Sequence, residues 1–152
     1  MQVISKYPHM SLRESSIWNA FLASGRLPPG RLWYDTRVGE RIPQAWGEEP
    51  WLSAVIRATS RKRIDACLRT TDSWIIYEVK VRAGLSAVGQ CIGYQDLYSR
   101  AIAGNTPVLM VIVCDYWSLD MDTICRMEGI GLWSRTMRGG GFWIPPSLLP
   151  AI

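Results

Sequence analysis

Apolar residues recur at helical spacing through Ile17, Trp18, Phe21 and Leu22, directly after Ser11-Leu12-Arg13-Glu14, which has the S-x-x-E form of a capping box. The spacing predicts a first helix over about 11–24, stopped by Gly25. After the Pro28-Pro29-Gly30 break, Arg31 to Val38 is rich in aromatic and branched residues and reads as a strand. A loop with Gly39, Pro43, Gly47 and Pro50 follows, and Pro50 suits the first turn of a short helix with Trp51, Leu52, Val55 and Ile56 on one side. Arg63 to Arg69 and Trp74 to Arg82 are strand-like and flank the turn formers Thr70-Thr71-Asp72-Ser73, so they predict a hairpin. Gly84 and Ser86 open a long helix to about Ala103, closed by Gly104 and Asn105. Val108 to Cys114 is continuously apolar, as a strand buried on both faces must be. Asp120 or Asp122 can cap a short helix ending at Gly129, and Gly131 to Arg135 is a plausible last strand. The order is α-β-α-β-β-α-β-α-β, an α/β fold.

Composition narrows the class. The chain has 152 residues, 48% hydrophobic and 20% charged, which fits one folded domain with a sizeable core and excludes disorder. We place that domain at residues 1–138. Residues 139–152 read as a Gly-rich linker and an apolar tail, Phe142-Trp143-Ile144-Pro145-Pro146 onward, which either packs back over the domain or docks on a partner or a second copy. No apolar run approaches the ~20 residues of a membrane helix, and no charged-then-apolar leader is visible. The expectation is a cytoplasmic protein, or one within a viral assembly. Cys67, Cys91, Cys114 and Cys125 are widely spaced in apolar segments, and His9 is the sole histidine, so buried reduced thiols are expected rather than a zinc site or a disulfide framework. The net charge of +4 permits an anionic partner without requiring one.

The hairpin carries the chemistry. If it turns about Thr71-Asp72, Asp65 lies opposite Glu78, and Lys80 projects from the same face two residues further on. Two ionised carboxylates about 5 Å apart repel by roughly 3 kcal/mol at an effective dielectric of about 20, so a buried pair needs a cation or a shared proton. A divalent metal such as Mg²⁺ meets that need with oxygen ligands alone, and with a lysine beside it the layout suits phosphodiester hydrolysis. The competing reading is a surface hairpin in which Lys80 merely pairs with an acid in water, worth little energetically. Gln90 and Tyr94, four apart, share one face of the following helix and present polar tips. Arg57, Arg61, Lys62 and Arg63 form a basic cluster leading into Asp65, and Arg82 follows Lys80; together they suit either phosphate tracking or a solvated loop.

Arg63-Ile64-Asp65, Ile75-Ile76-Tyr77-Glu78-Val79-Lys80 and Gln90-x-x-x-Tyr94 together resemble the PD-(D/E)XK nuclease superfamily, especially its RecB-type and Holliday-junction-resolvase-like branches. The resemblance covers roughly residues 11 to 135. It implies a restriction-endonuclease-like fold, a central mixed sheet flanked by helices. It implies Mg²⁺ or Mn²⁺ held by Asp65, Glu78 and the main-chain carbonyl of Val79, with Lys80 as the catalytic lysine. Gln90 and Tyr94 would organise the site and the DNA strand. Glu14 is a candidate further acid from the first helix, in competition with its capping-box role. Ile64 stands where the name-giving proline would be. The activity implied is metal-dependent DNA cleavage. A different class also fits: an assembly protein that keeps such a fold without its activity, suggested by eight tryptophans and the apolar tail.

Overall fold

The computed structural model describes residues 5–39 and 62–136. The expected short helix after Pro50, the basic residues Arg57 and Arg61, and the tail 139–152 lie outside the described residues. The elements run α1 (Leu12–Ala23), β1 (Arg31–Val38), β2 (Lys62–Arg69), β3 (Trp74–Ala83), α2 (Leu85–Tyr98), β4 (Val108–Trp117), α3 (Leu119–Met127) and β5 (Gly131–Ser134). One five-stranded sheet in the order β1-β2-β3-β4-β5 holds them together. β1, β2 and β3 pair antiparallel, and β4 and β5 continue in parallel from β3. This is the α/β architecture expected, a central mixed sheet flanked by helices.

Side chains alternate across β3 and β4 and divide the core in two. Ile75, Tyr77, Val79, Val111 and Val113 pack with Ile17, Trp18 and Phe21 of α1. Ile76, Met110, Ile112 and Cys114 pack on the other face with Ala87, Val88 and Cys91 of α2 and with Met121 and Cys125 of α3. Both faces of β4 are therefore covered, which is why its sequence is continuously apolar. Among the described residues no helix is long and apolar enough to cross a membrane. All four cysteines are buried and free.

Three boundaries differ from expectation. The second long helix keeps α geometry only to Tyr98; Ser99–Ala103 widens to a π turn in which the Gly104 N–H reaches the Ser99 carbonyl at 3.0 Å. The N-cap of α3 is Ser118, without a side-chain bond, rather than Asp120 or Asp122. Both acids sit inside the first turn, where their charge favours the positive end of the helix dipole. β4 runs past its apolar stretch to Trp117 because buried Asp115 is matched by Arg135, whose guanidinium donates to both carboxylate oxygens at 2.8 and 2.9 Å.

Candidate active site

The β2–β3 hairpin has the expected register, from Arg69↔Trp74 to Ala66↔Tyr77, but the ladder stops one rung short of Asp65 and Glu78. The neighbouring ladder breaks at the same level. β1 and β2 pair through Tyr34↔Ala66 and resume at Thr36↔Ile64, skipping the rung of Asp35 and Asp65. Asp35 has a left-handed backbone with φ of 55°. Alternation slips across it: Tyr34 packs on the α1 side and Val38 on the α2 side, although even spacing would keep them on one face. Ala66 and Ile64 divide between the two faces in the same way. The irregularity frees Asp65 from regular pairing, and its carboxylate accepts the Val79 N–H at 2.8 Å. The two acids thus meet through a break in the sheet rather than as a regular cross-strand pair.

Both carboxylates are buried, Asp65 at 7% and Glu78 at 2% exposure. Burial pushes the Asp65 carboxyl above its ordinary range; the Val79 N–H and the Lys80 charge pull it back, and Glu14 adds to the rise. Glu78 is likewise pushed up, by burial first and by the Asp65 charge next, with Lys80 opposing. Lys80 Nζ lies 2.6 Å from Glu78 Oε1. Burial works against the ammonium, but the nearby Glu78, Asp65 and Glu14 charges outweigh it and hold Lys80 above its ordinary value. Glu14 keeps its capping box, accepting the Ser11 N–H at 2.8 Å, while its charge bears on all three of these residues.

Tyr94 lies within electrostatic reach of the same acids, and Gln90 is bonded to it. Gln90 Nε2 donates to the Tyr94 hydroxyl at 3.4 Å, and burial followed by the Glu78 charge pushes the phenol up to about 12. Gln90 and Tyr94 line a cleft of about 380 Å³ with Lys62, Ser86 and Leu97. Of the expected basic residues, Lys62 lines this cleft and Arg82 is exposed on β3. Arg63 is engaged elsewhere: it grips Asp35 with two bonds of 2.8 and 2.9 Å. The basic cluster has an acid after all, contributed by β1.

No protein-family model matches the chain, and no curated protein matches it. Its fold is similar to that in a crystal structure of a repair endonuclease from Pyrococcus abyssi, with a TM-score of 0.46 and 16% identity over 93% of this chain. The chain spans about half, 50%, of that protein's length.

The residues present fit a hard divalent cation. Glu78 Oε2 is buried and has no hydrogen-bond partner among the described residues, an arrangement that is costly for a carboxylate unless a cation or proton takes that position. Among the described residues no group of three or more His, Cys, Asp and Glu is placed to hold a metal. Two carboxylates with main-chain oxygen would suit only an ion that retains several waters. Two nearby groups have no counterpart among the residues expected from the sequence. Asp35 carries the break that releases Asp65, and the His9 charge lowers the Asp65 pKa. His9 also has a left-handed backbone, φ 64°. Its one sequence signal is its position just before the capping box that carries Glu14.

Proposed function

We propose that this protein is a divalent-metal-dependent nuclease that hydrolyses phosphodiester bonds in DNA, with Asp65, Glu78 and Lys80 as its catalytic residues. The observation that carries the reading is the buried Glu78 Oε2, without a hydrogen-bond partner among the described residues, beside a second buried carboxylate. Mg²⁺ or Mn²⁺ held by Asp65, Glu78 and the Val79 carbonyl would activate water and neutralise charge on a phosphoryl oxygen. The residues of the chain do the rest. Lys80, bonded to Glu78, holds a proton donor and a positive charge at the edge of the acid pair, where it can orient water or meet a phosphate oxygen. The Val79 N–H fixes one Asp65 oxygen and so orients that carboxylate. Gln90 and Tyr94 present polar tips at the wall of the cleft and would position the strand, with Lys62 and Arg82 drawing its backbone by charge.

The test is cleavage of single-stranded, duplex and branched DNA with and without Mg²⁺ or Mn²⁺. Cleavage should require the metal and should fall at least 100-fold in Asp65→Ala and Lys80→Ala, in line with the ~10²–10³-fold cost of removing one group that stabilises transition-state charge. Cleavage that persists unchanged in both variants, or that is missing from the unaltered protein on every substrate, rejects the reading.

A further inference from the structure

At the turn end of the hairpin, four residues from the acid pair on each strand, an aromatic and cationic cluster spans three strands. Trp33 of β1 and Trp74 of β3 lie with ring centroids 5.3 Å apart, and Trp74 meets Tyr98 of α2 edge-on at 5.3 Å. The Arg31 guanidinium lies over Trp33 at 5.0 Å from its centroid, and that of Arg69 lies over Trp74 at 5.6 Å. Arg31 and Arg69 occupy one rung of the β1–β2 ladder, and Arg69 and Trp74 one rung of the β2–β3 ladder. Both tryptophans are only half-buried and Arg31 is exposed. Among the described residues neither arginine is in an ion pair with a carboxylate, in contrast to Arg63, Arg100, Arg126 and Arg135.

We infer that Trp33 and Trp74, with Arg31 and Arg69, form a docking platform for a single-stranded stretch of nucleic acid that extends from the acid pair. The chemistry selects that ligand. Indole rings and guanidinium planes stack on bases of any sequence, and the two positive charges meet the phosphates. A duplex keeps its base faces covered and offers such a platform only its backbone. The placement selects it too. Trp74 packs against the α2-side core with Ile76, so Trp74, Glu78 and Lys80 share a sheet face. Four residues of strand separate Trp74 from Glu78, about 13 Å, or roughly four nucleotides at a stacked spacing of about 3.4 Å. Helix α2 joins the two places: Gln90, Tyr94 and Leu97 line the cleft, and Tyr98, the next residue, is the ring that Trp74 touches. The direction of the strand rests on the nuclease reading of the acid pair, but the binding does not.

The experiment measures binding of a labelled single-stranded 12-mer and of its duplex to the full chain in a chelator, so that no cleavage intervenes. Trp33→Ala and Arg31→Gln should each weaken single-strand binding about fivefold or more and duplex binding less than twofold, and Trp33→Phe should restore most of the loss. Thermal melts accompany each variant, and Arg31→Gln, an exposed change, keeps the test open if Trp33→Ala fails to fold. Unchanged single-strand binding in Arg31→Gln and Trp33→Phe alongside loss only in a destabilised Trp33→Ala overturns the platform, as does an unaltered protein that prefers duplex. If the selective losses occur while the unaltered protein cleaves nothing with metal, the platform stands and the nuclease reading falls. Metal-dependent cleavage with binding indifferent to Arg31 and Trp33 overturns the platform and leaves the nuclease reading standing.

Discussion

At the scale of single residues, Asp65 and Glu78 tie the site to the stability of the fold. Both hold protons in the folded protein at pH values where the unfolded chain, with ordinary carboxylates near ~4, has released them. The folded state therefore binds more protons, and stability must fall as pH rises from the ordinary carboxylate range through the raised folded values. In a chelator, the urea midpoint should drop between pH 5 and pH 8, and Glu78→Gln, which stays neutral throughout, should reduce that drop. A drop of the same size in Glu78→Gln would show that this carboxyl does not carry the pH dependence. The same residue makes a second prediction. A cation bound only by the folded protein stabilises it by mass action, by about 2.7 kcal/mol at a hundredfold excess over its dissociation constant. Adding Mg²⁺ or Mn²⁺ at pH 8 should raise the melting temperature of the unaltered protein and leave that of Glu78→Gln and Asp65→Asn unmoved, since each lacks one of the two charged ligands.

At the scale of elements, what the sequence showed and what it hid have separate physical causes. Helix α1, all three antiparallel strands and the hairpin register were readable because capping boxes, turn formers and branched-residue runs are local signals. So was the convergence of Asp65, Glu78 and Lys80 at one end of the hairpin. The way they converge was not readable, because it depends on Asp35, distant in sequence, taking a left-handed backbone and gripping Arg63. A period-2 pattern assumes an unbroken ladder, and here the acid pair sits at the break. Asp115 was hidden for a similar reason: a charge inside an apolar strand looks like its end until the arginine that neutralises it, Arg135 beyond β5, is brought alongside. That arginine also donates to Ser16 at 3.0 Å, and Arg13 lies 3.8 Å from Asp115, so the cluster ties the first turn of α1, with Glu14, to the sheet. Asp115→Ala should cost about 1–3 kcal/mol, the usual loss for removing hydrogen bonds to a charged group, since the half-exposed Arg135 can recover water. Urea unfolding measures this, and a loss below about 0.5 kcal/mol would mean that α1 is held by its apolar face alone.

At the scale of the whole molecule, the two faces of the sheet divide the work, and the division has a consequence for mutation. On the α1 face, Phe21 stacks near Trp18 at 5.3 Å and meets Tyr77 and Trp133 at 5.4 Å each, all buried, with the sheet behind them. None of these four rings lines the cleft. On the α2 face, the same strands present Glu78 and Lys80 to a helix whose Gln90 and Tyr94 line open space, and the glycines that precede them, Gly89 and Gly93, have none of the described residues within 4 Å of where a Cβ would stand. One face is filled, and the other carries a cleft along α2 whose lining includes Tyr94, on which the Glu78 charge bears. Phe21→Ala should therefore cost about 3–5 kcal/mol, as large-to-small changes in a packed aromatic core do, while at a temperature where the variant stays folded its metal-dependent cleavage should change little. Gln90→Ala, a partly exposed change, should alter stability by less than about 0.5 kcal/mol and reduce cleavage severalfold. Chemical denaturation and cleavage rates measured on both variants decide it. If Phe21→Ala lost activity in proportion to stability while Gln90→Ala lost neither, the sheet would not be divided in this way, and the open cleft would have to be read as a packing defect rather than as the approach to the acids.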